Sequence, residues 1–298
     1  MPMSSASDYP YFKFGFTDFN PAQSKAIPYA DKDVNIVASF PPGCGKTAIA
    51  EACLGWEIHN GRSFSYVCPF RALAREKADA WSKAGYETFM VSGDRDAVSP
   101  SSESVKGSKA SVGVFTAESF EIATRRHPGF FDNTSCVCFD EAHMIGDPER
   151  GSVFEAGIMA AAEKARVVLL SGTLPNAREI ASWLKSISGR PTVYVKTDWR
   201  PNKTAVNFHH VSSRGEIPKI RELLREYKNS KTIIFVHSKK TGKDVAAALA
   251  KDGTSYVLHN GSLPLSRRQR AERLFSNIYS GVDVIVATST LAAGVNLE

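Results

Sequence analysis

The sequence lacks the features that would place it in a membrane or in the secretory pathway. None of its apolar runs reaches the ~18 residues that suggest a membrane-spanning helix. Its first residues, MPMSSASDYPYFKF, do not contain the basic segment followed by an apolar segment that marks a secretion signal. There is no tandem repeat, and the Ser-rich stretch at 92–108 predicts a mobile surface loop. We expect a soluble, intracellular protein, and its compartment within the cell stays open.

Cysteine is also scarce, with five residues at spacings that give no disulfide framework. Cys136 and Cys138 alternate with Val137 and Phe139 in one apolar run, so a metal-binding pair is one interpretation. We favour two small residues on one face of a buried strand, because no second Cys/His pair has the spacing of a zinc site.

The overall composition is that of a globular protein. The chain has 298 residues, of which 43% are hydrophobic and 23% charged, and this length is sufficient for two domains. The formal net charge is +6, which suits an anionic partner such as a nucleic-acid backbone. Charge alone is weak support, since many basic proteins bind no nucleic acid.

Short apolar runs alternate with helical patterns along the chain, which predicts α/β domains with parallel sheets covered on both faces. Strands are predicted at 34–39, 64–68, 87–91, 112–115, 135–140 and 167–171, then at 232–236, 256–258 and 282–287. Helices are predicted at 46–59, 71–83, 117–126 and 176–186, then at 216–227, 242–250 and 264–279. The segment KTDWRPNK at 196–203 has no strong period and predicts a linker, so we place the domains at 1–198 and 199–298.

The segment FPPGCGKT at 40–47 follows a predicted strand and opens a predicted helix, which is the context of a phosphate-binding loop. Gly43 and Gly45 let the backbone around Cys44 turn tightly and present its N–H groups to phosphate oxygens. Lys46 would contact the β- and γ-phosphates, and Thr47 would be a Mg²⁺ ligand. The alternative is a Gly-rich turn with a chance lysine.

A second acidic motif, DEAH, begins where the predicted strand CVCFD ends. Open α/β sheets bind ligands at the carboxyl ends of their strands, so Asp140 is placed to hold Mg²⁺ through its water shell. Glu141 is placed to take a proton from an attacking water. His143 can hydrogen-bond toward the next domain and so report whether a γ-phosphate is present.

These motifs and others make the chain resemble the two-domain core of a superfamily 2 helicase of the Ski-like branch, over nearly its whole length. The matching segments, in order, are FNPAQ (19–23), FPPGCGKT (40–47), YVCPFRALAREKADAW (66–81), FTAES (115–119), DEAH (140–143), SGT (171–173), TDWRP (197–201), IIFVHSKK (233–240), HNGSLPLSRRQRAERLF (259–275) and ATSTLAAGVNLE (287–298). Phe40, Ala117 and Gly172 depart from the family pattern.

The resemblance implies tandem RecA-like domains, ATP and Mg²⁺ as cofactors, and ATP hydrolysis coupled to movement on single-stranded DNA or RNA. Resemblance to archaeal repair helicases favours DNA. The matching motifs also imply which residues of this chain serve each role. Those implied are Gln23, Gly294 and Asn296 for the nucleotide, Lys46, Asp140 and Glu141 for catalysis, His143, Ser171 and Thr173 for coupling, and Arg71, Thr116, Ser238, Lys239 and Thr288 for nucleic acid.

Some of these residues have simpler explanations. Arg71 could be a solvated helix residue, and Gly294 with Asn296 could form a turn at a strand end. The arginines of the segment at 267–273 could be an exposed helix face.

The family ends its second domain with QxxGRxGR, whose arginines reach the γ-phosphate, and this string is not found in the 298 residues. We therefore expect an incomplete second RecA-like domain and an ATPase that binds ATP better than it hydrolyses it. A protein partner supplying the arginine is one alternative, and a non-catalytic module that binds nucleotide and nucleic acid is another. A small-molecule kinase or transporter ATPase is disfavoured by the motifs of the second domain.

Overall fold

The parallel sheets predicted from the alternation of strands and helices are present in the computed structural model. The structure describes residues 4–15, 17–91, 110–127, 129–212, 214–228, 230–288 and 291. The chain divides into two compact units, Met1–Lys203 and Thr204–Glu298. The boundary drawn from the sequence, after residue 198, lies slightly earlier. The loop predicted at 92–108 and the predicted nucleotide contacts Gly294 and Asn296 lie outside the described residues.

The first unit is built on seven strands. They are β1 (Asn35–Ser39), β2 (Ser63–Cys68), β3 (Thr88–Val91), β4 (Val112–Thr116), β5 (Thr134–Phe139), β6 (Arg166–Ser171) and β7 (Thr192–Lys196). Its helices are α1 (Gln23–Ala26), α2 (Thr47–His59), α3 (Arg71–Lys83), α4 (Ala117–Arg126), α5 (Gly151–Lys164) and α6 (Ala177–Ser188), with short 3₁₀ turns at Ala6–Asp8, Ile27–Tyr29 and Ala142–Gly146.

The strands form one parallel sheet in the order β3-β4-β2-β5-β6-β1-β7. The sequence-based strands agree with β1 to β6 to within a residue or two at each end, but β7 was missed. Three of its five residues, Thr192 to Tyr194, are only half-buried, and it pairs with β1 at the edge of the sheet. An edge strand buries too little to produce a clear apolar run, and the predicted linker at 196–203 overlaps its last residue.

Both faces of this sheet are buried. On β5, Cys136 and Cys138 face the side covered by α2 and α3, and Val137 and Phe139 face the side covered by α4, α5 and α6. The structure thus places the two cysteines on one face of a buried strand, as predicted. Burial on both faces explains why these strands read as continuous apolar runs in the sequence.

The second unit has a smaller parallel sheet. It contains β8 (Thr232–Phe235), β9 (Tyr256–His259) and β10 (Val284–Ala287), with α7 (Glu216–Glu226), α8 (Lys239–Lys251) and α9 (Leu265–Ser276). The strand order is β8-β10-β9. Val245 and Leu249 of α8 pack on one face of β10, while Phe275 of α9 packs on the other. Tandem parallel α/β units match the RecA-like fold class implied by the motifs. Within the described residues, no helix is long and apolar enough to cross a bilayer.

Candidate active site

Three motif-bearing loops lie together because the strands that precede them are neighbours. In the sheet order, β6 lies between β5 and β1, and all three run parallel. Their carboxyl ends therefore meet at one edge of the sheet, which is where α/β folds place ligands. This edge, called the carboxyl edge below, brings together Lys46 after β1, Asp140 after β5 and Ser171 at the end of β6.

The loop after β1 is held in shape by segments distant in the sequence. Gly43 and Gly45 have φ of 78° and 68°, a left-handed conformation that other residues rarely adopt. Between them, Cys44 is buried and its thiol donates to the Trp199 carbonyl at 2.9 Å. The side-chain amide of Asn20 donates to the Cys44 carbonyl at 3.1 Å. The loop is therefore preorganised by the N-terminal segment and by the linker.

The start of α2 is open. Lys46 is its N-cap residue, and no side chain caps the first turn. The first amides of a helix have no acceptor within the helix, so an uncapped start is a ready binding place for an anion. A Cβ built on Gly172 would lie 3.9 Å from Lys46 Nζ, so the lysine side chain extends to the loop after β6. These features fit a phosphate group.

Asp140 is nearly buried, at 7% exposure, and both of its carboxylate oxygens accept hydrogen bonds. The Glu141 amide donates to Oδ1 at 2.9 Å, and the Tyr66 hydroxyl donates to Oδ2. Sequence reasoning missed Tyr66. A tyrosine hydroxyl on a strand predicted to be buried requires a hydrogen-bond partner, and this was the signal that could have identified it.

Glu141 is the only described residue other than glycine with a left-handed backbone, at φ 52°. Such a conformation is costly for a residue with a side chain and often marks a functional position. The Glu141 side chain is 35% exposed. Burial and then the Asp140 charge raise the pKa of Glu141, while Lys46 and His143 oppose the rise. The carboxylate is consequently a stronger proton acceptor than an ordinary glutamate.

A chain of contacts joins Glu141 to the loop after β6. His143 Nδ1 lies 3.3 Å from Glu141 Oε2 and 3.2 Å from Ser171 Oγ. The Ser171 hydroxyl donates to the Thr173 carbonyl at 3.2 Å. The four residues assigned from the sequence to the base and coupling roles therefore form a continuous chain of contacts, from Glu141 to Thr173.

The side chain of Gln23, which was predicted to bind adenine, already makes hydrogen bonds within the chain. Its Nε2 donates to the Gly45 carbonyl at 3.2 Å, and its Oε1 accepts from the Asn20 amide at 3.0 Å. A Cβ on Gly45 would lie 2.4 Å from Nε2, so a larger residue at this left-handed position would displace the glutamine amide. A glutamine amide has two donors and two lone pairs, so one of each is left for a base edge, and the adenine contact stays a prediction.

Thr116, which was predicted to contact nucleic acid, lies at a helix start in the first unit. Thr116 is buried and caps α4, where its Oγ1 accepts from the Ser119 amide at 3.4 Å and its own amide donates to Ser119 Oγ at 3.0 Å. These bonds form a capping box, and the contact of Thr116 with nucleic acid stays a prediction. Arg71 is exposed at the first turn of α3, and its contact with nucleic acid stays a prediction.

In the second unit, Ser238, Lys239 and Thr288 occupy strand ends and a helix start, as predicted. The Ser238 hydroxyl accepts from the Thr241 amide at 3.0 Å and so caps α8, where Lys239 is the exposed first residue. The Thr288 amide donates to the His259 carbonyl at 3.1 Å beyond β10. The arginines at 267, 270 and 273 are exposed, whereas Ala271 and Phe275 of the same helix are buried.

Comparison with known proteins agrees with this geometry. Residues 20–180 match the DEAD/DEAH box helicase family, and residues 215–298 match the helicase conserved C-terminal domain. The chain is 30% identical, over 92% of its length, to the ATP-dependent DNA helicase Hel308 of Thermoplasma acidophilum. It is 26% identical, over 99% of its length, to the ATP-dependent DNA helicase homolog MER3 of Arabidopsis thaliana.

An RNA helicase is also among the relatives. The chain is 29% identical, over 66% of its length, to the DExH-box ATP-dependent RNA helicase DExH9 of Arabidopsis thaliana. The chain spans only 45% of the length of the Thermoplasma helicase and 33% of the length of the MER3 homolog. Because the family model covers more than half of the chain and its phosphate-loop and DEAH motifs meet at one sheet edge, the chain belongs to the DEAD/DEAH box helicases, as the motifs had implied.

Proposed function

We propose that this chain is the motor core of an ATP-dependent helicase or translocase that acts on single-stranded nucleic acid. The observation that carries the proposal is the meeting of the phosphate loop, the DEAH acids and the Ser171 loop at adjacent strand ends. In a member of the DEAD/DEAH box helicase family, this arrangement supports ATP hydrolysis as the reaction.

The residues present fit ATP with Mg²⁺. The uncapped start of α2 and the left-handed glycines can receive phosphate oxygens, and Lys46 supplies positive charge beside them. Thr47 and Asp140 offer the oxygen ligands and water-binding groups that Mg²⁺ prefers. When bound, Mg²⁺ neutralises charge that develops on the phosphates during transfer.

Glu141 is the proposed general base. Its carboxylate contacts His143, and its raised pKa favours acceptance of a proton from a water at the γ-phosphate. His143 and Ser171 would transmit the state of this site, since they are linked to it by hydrogen-bonding distances.

Single-stranded DNA is the proposed track. The net charge of +6, the exposed Arg71 and the exposed Lys239 support contact with a phosphate backbone. The Hel308 and MER3 relatives carry the name of DNA helicases, and this favours DNA over RNA. A strand that is bound through phosphates should be released by salt, with a slope of about −0.7 per neutralised phosphate.

The test combines nucleotide binding with turnover. ATP affinity is measured for the wild type, for Lys46→Ala, and for Lys83→Ala, a control that removes an exposed lysine from the end of α3. We expect Lys46→Ala alone to abolish binding while its unfolding temperature stays unchanged. Equal ATP affinity for the wild type and Lys46→Ala would refute the site.

Steady-state hydrolysis is then measured with and without single-stranded DNA or RNA. Stimulation by DNA above that by RNA is expected. ATP binding without turnover under every condition would instead favour the non-catalytic nucleotide- and nucleic-acid-binding module. Addition of candidate protein partners tests the alternative in which a partner supplies the arginine.

A further inference from the structure

A buried tyrosine at the start of the segment 66–81, to which the sequence assigned no role, contacts the DEAH aspartate. Tyr66 is fully buried on β2 and its hydroxyl donates to Asp140 Oδ2. The strand register explains the contact. Tyr66 pairs with Cys138 of parallel β5, so Asp140, two residues further along, projects from the same face one pleat nearer the carboxyl edge.

The hydroxyl needs this partner. A buried hydroxyl without a hydrogen bond costs about 1–3 kcal/mol, and a phenylalanine would fill the same space without that cost. The aspartate also needs the hydroxyl, since Asp140 is almost inaccessible to water and its other oxygen already accepts from the Glu141 amide. The two donors together hold the plane of the carboxylate.

The tyrosine ring is itself fixed from the side of the phosphate-loop helix. Trp81 of α3 packs edge-on against it, with ring centroids 5.1 Å apart. The indole Nε1 donates to Glu51 Oε1 at 3.2 Å, and Glu51 lies on α2, one turn after Thr47. Tyr66 thus joins the Asp140 carboxylate, through Trp81, to the helix that bears the other proposed Mg²⁺ ligand.

Resting on the proposed ATPase function, we propose that Tyr66 is a positioning residue that orients the Asp140 carboxylate for Mg²⁺. The hydroxyl and the Glu141 amide each occupy one lone pair of a different carboxylate oxygen. The remaining lone pairs are then directed by the fold, and they are the ones available to the water shell of the ion. Hydrogen-bond partners of metal-binding groups commonly change metal affinity by about 10- to 100-fold.

The test is the Mg²⁺ dependence of nucleotide binding, measured without turnover. Binding of a fluorescent ATP analogue is titrated in EDTA and over a series of MgCl₂ concentrations for the wild type, Tyr66→Phe and Tyr86→Phe. Tyr86 is a matched control, because it is also a buried tyrosine and its hydroxyl has no hydrogen-bond partner within the described residues.

We expect Tyr66→Phe to raise the Mg²⁺ concentration at half-effect by about tenfold, with metal-free affinity within twofold of the wild type. Tyr86→Phe should match the wild type in both measurements. A Mg²⁺ midpoint for Tyr66→Phe equal to that of the wild type would overturn the proposal. If the wild type binds no nucleotide at all, the proposed function itself fails and this inference fails with it, a result distinct from an unchanged midpoint.

Asp140→Asn completes a double-mutant cycle. The cycle also tests the proposal if Tyr66→Phe alone folds poorly. Asparagine has the size of aspartate without its charge, so the double variant buries no carboxylate that lacks the Tyr66 donor, and it is expected to fold. If Tyr66 acts through Asp140, Tyr66→Phe changes nothing when added to Asp140→Asn. A further shift in the Mg²⁺ midpoint in that background would show that Tyr66 acts by another route, contrary to the proposal.

Discussion

The two edges of the seven-stranded sheet use polar groups in opposite ways. At the carboxyl edge, Lys46 lies beside an uncapped helix start and Glu141 adopts a strained backbone. At the amino edge, where the strands begin, Arg166 and Glu57 are buried and each has several partners. One edge keeps binding groups available to a ligand, and the other satisfies its polar groups within the protein.

The amino-edge network is dense. Arg166 opens β6 and its Nε donates to Glu57 Oε1 at 2.9 Å, while its terminal nitrogens donate to the carbonyls of Tyr29, Ala30 and Lys32. Glu57, near the end of α2, also accepts from Arg62 at 2.7 Å. The network ties the end of α2 to the start of β6, far from the phosphate loop at the other end of α2. Stabilising interactions and the proposed chemistry therefore lie at opposite ends of the same helix and sheet.

The largest expected effect is on folding, at the amino edge. Glu57→Ala leaves the Arg166 charge buried without its carboxylate, and breaking a buried pair in this way costs about 3–5 kcal/mol. Urea unfolding measures the loss, with Glu163→Ala, an exposed position of α5, as the control. Metal-dependent ATP affinity of the folded protein should stay within a few-fold of the wild type. A loss under about 1 kcal/mol would show that this edge is not the stabilising one.

A substitution at the carboxyl edge should instead affect turnover and leave folding almost unchanged. Glu141→Gln removes the proposed base while keeping size and polarity, so turnover should fall by about 10²- to 10⁴-fold. ATP affinity and the free energy of unfolding should change little, because the side chain is 35% exposed and makes no buried ion pair. Single-turnover hydrolysis is the measurement. Activity close to that of the wild type would remove Glu141 from the catalytic role.

A smaller effect is expected for nucleic acid. Arg71 begins α3 after the carboxyl end of β2, whereas Arg126 ends α4 and so lies toward the amino edge. Arg71→Ala should reduce the slope of binding against salt by about 0.7, the value for one phosphate on a single strand. Arg126→Ala should leave that slope unchanged. If the two variants reduce the salt slope equally, nucleic acid does not bind preferentially at the carboxyl edge.

The smallest expected effect concerns Glu51, which lies between the two edges on α2. Burial raises its pKa, against the opposing influence of the Trp81 hydrogen bond and Lys77. A carboxyl whose folded pKa is raised stabilises the fold below its unfolded pKa, and this contribution is lost as pH rises through the folded value. Glu51→Gln keeps the acceptor for Trp81 without the charge.

The Tm of Glu51→Gln minus the Tm of the wild type should therefore be larger near pH 8 than near pH 5, by about a few degrees. Thermal unfolding at the two pH values checks this expectation. Glu163→Gln, at an exposed position, is the control and should show the same Tm difference at both. A Tm difference for Glu51→Gln that is independent of pH would contradict the raised pKa.

Much of the fold was predictable because parallel strands that are buried on both faces appear in the sequence as apolar runs. The runs at 64–68 and 167–171 corresponded to β2 and β6 with a one-residue extension. Strand β7 was missed, since a half-buried edge strand has no such run. Helix α5 was also absent from the predicted set, and its many alanines and glycines give only a weak amphipathic pattern.

The candidate site was predictable only in part. Phosphate-loop and DEAH residues are contiguous in sequence, so their residue types and spacing already indicated the chemistry. Thr116 was assigned to nucleic acid from a motif, and the sequence could not show that its hydroxyl and amide are used to cap α4. Tyr66 lies outside the acidic motif, and nothing local linked it to Asp140.

The amino-acid sequence was sufficient to predict most of the strands and helices, the two glycines of the phosphate loop and the helicase family. Each of these depends on residues near one another in the chain. The fold was needed to show which strand ends are neighbours, and hence that Ser171 lies against His143 and Tyr66 against Asp140. The physical reason is that hydrogen bonds between strands depend on the sheet order and register, and these are set by packing of the whole sheet rather than by any local run of residues.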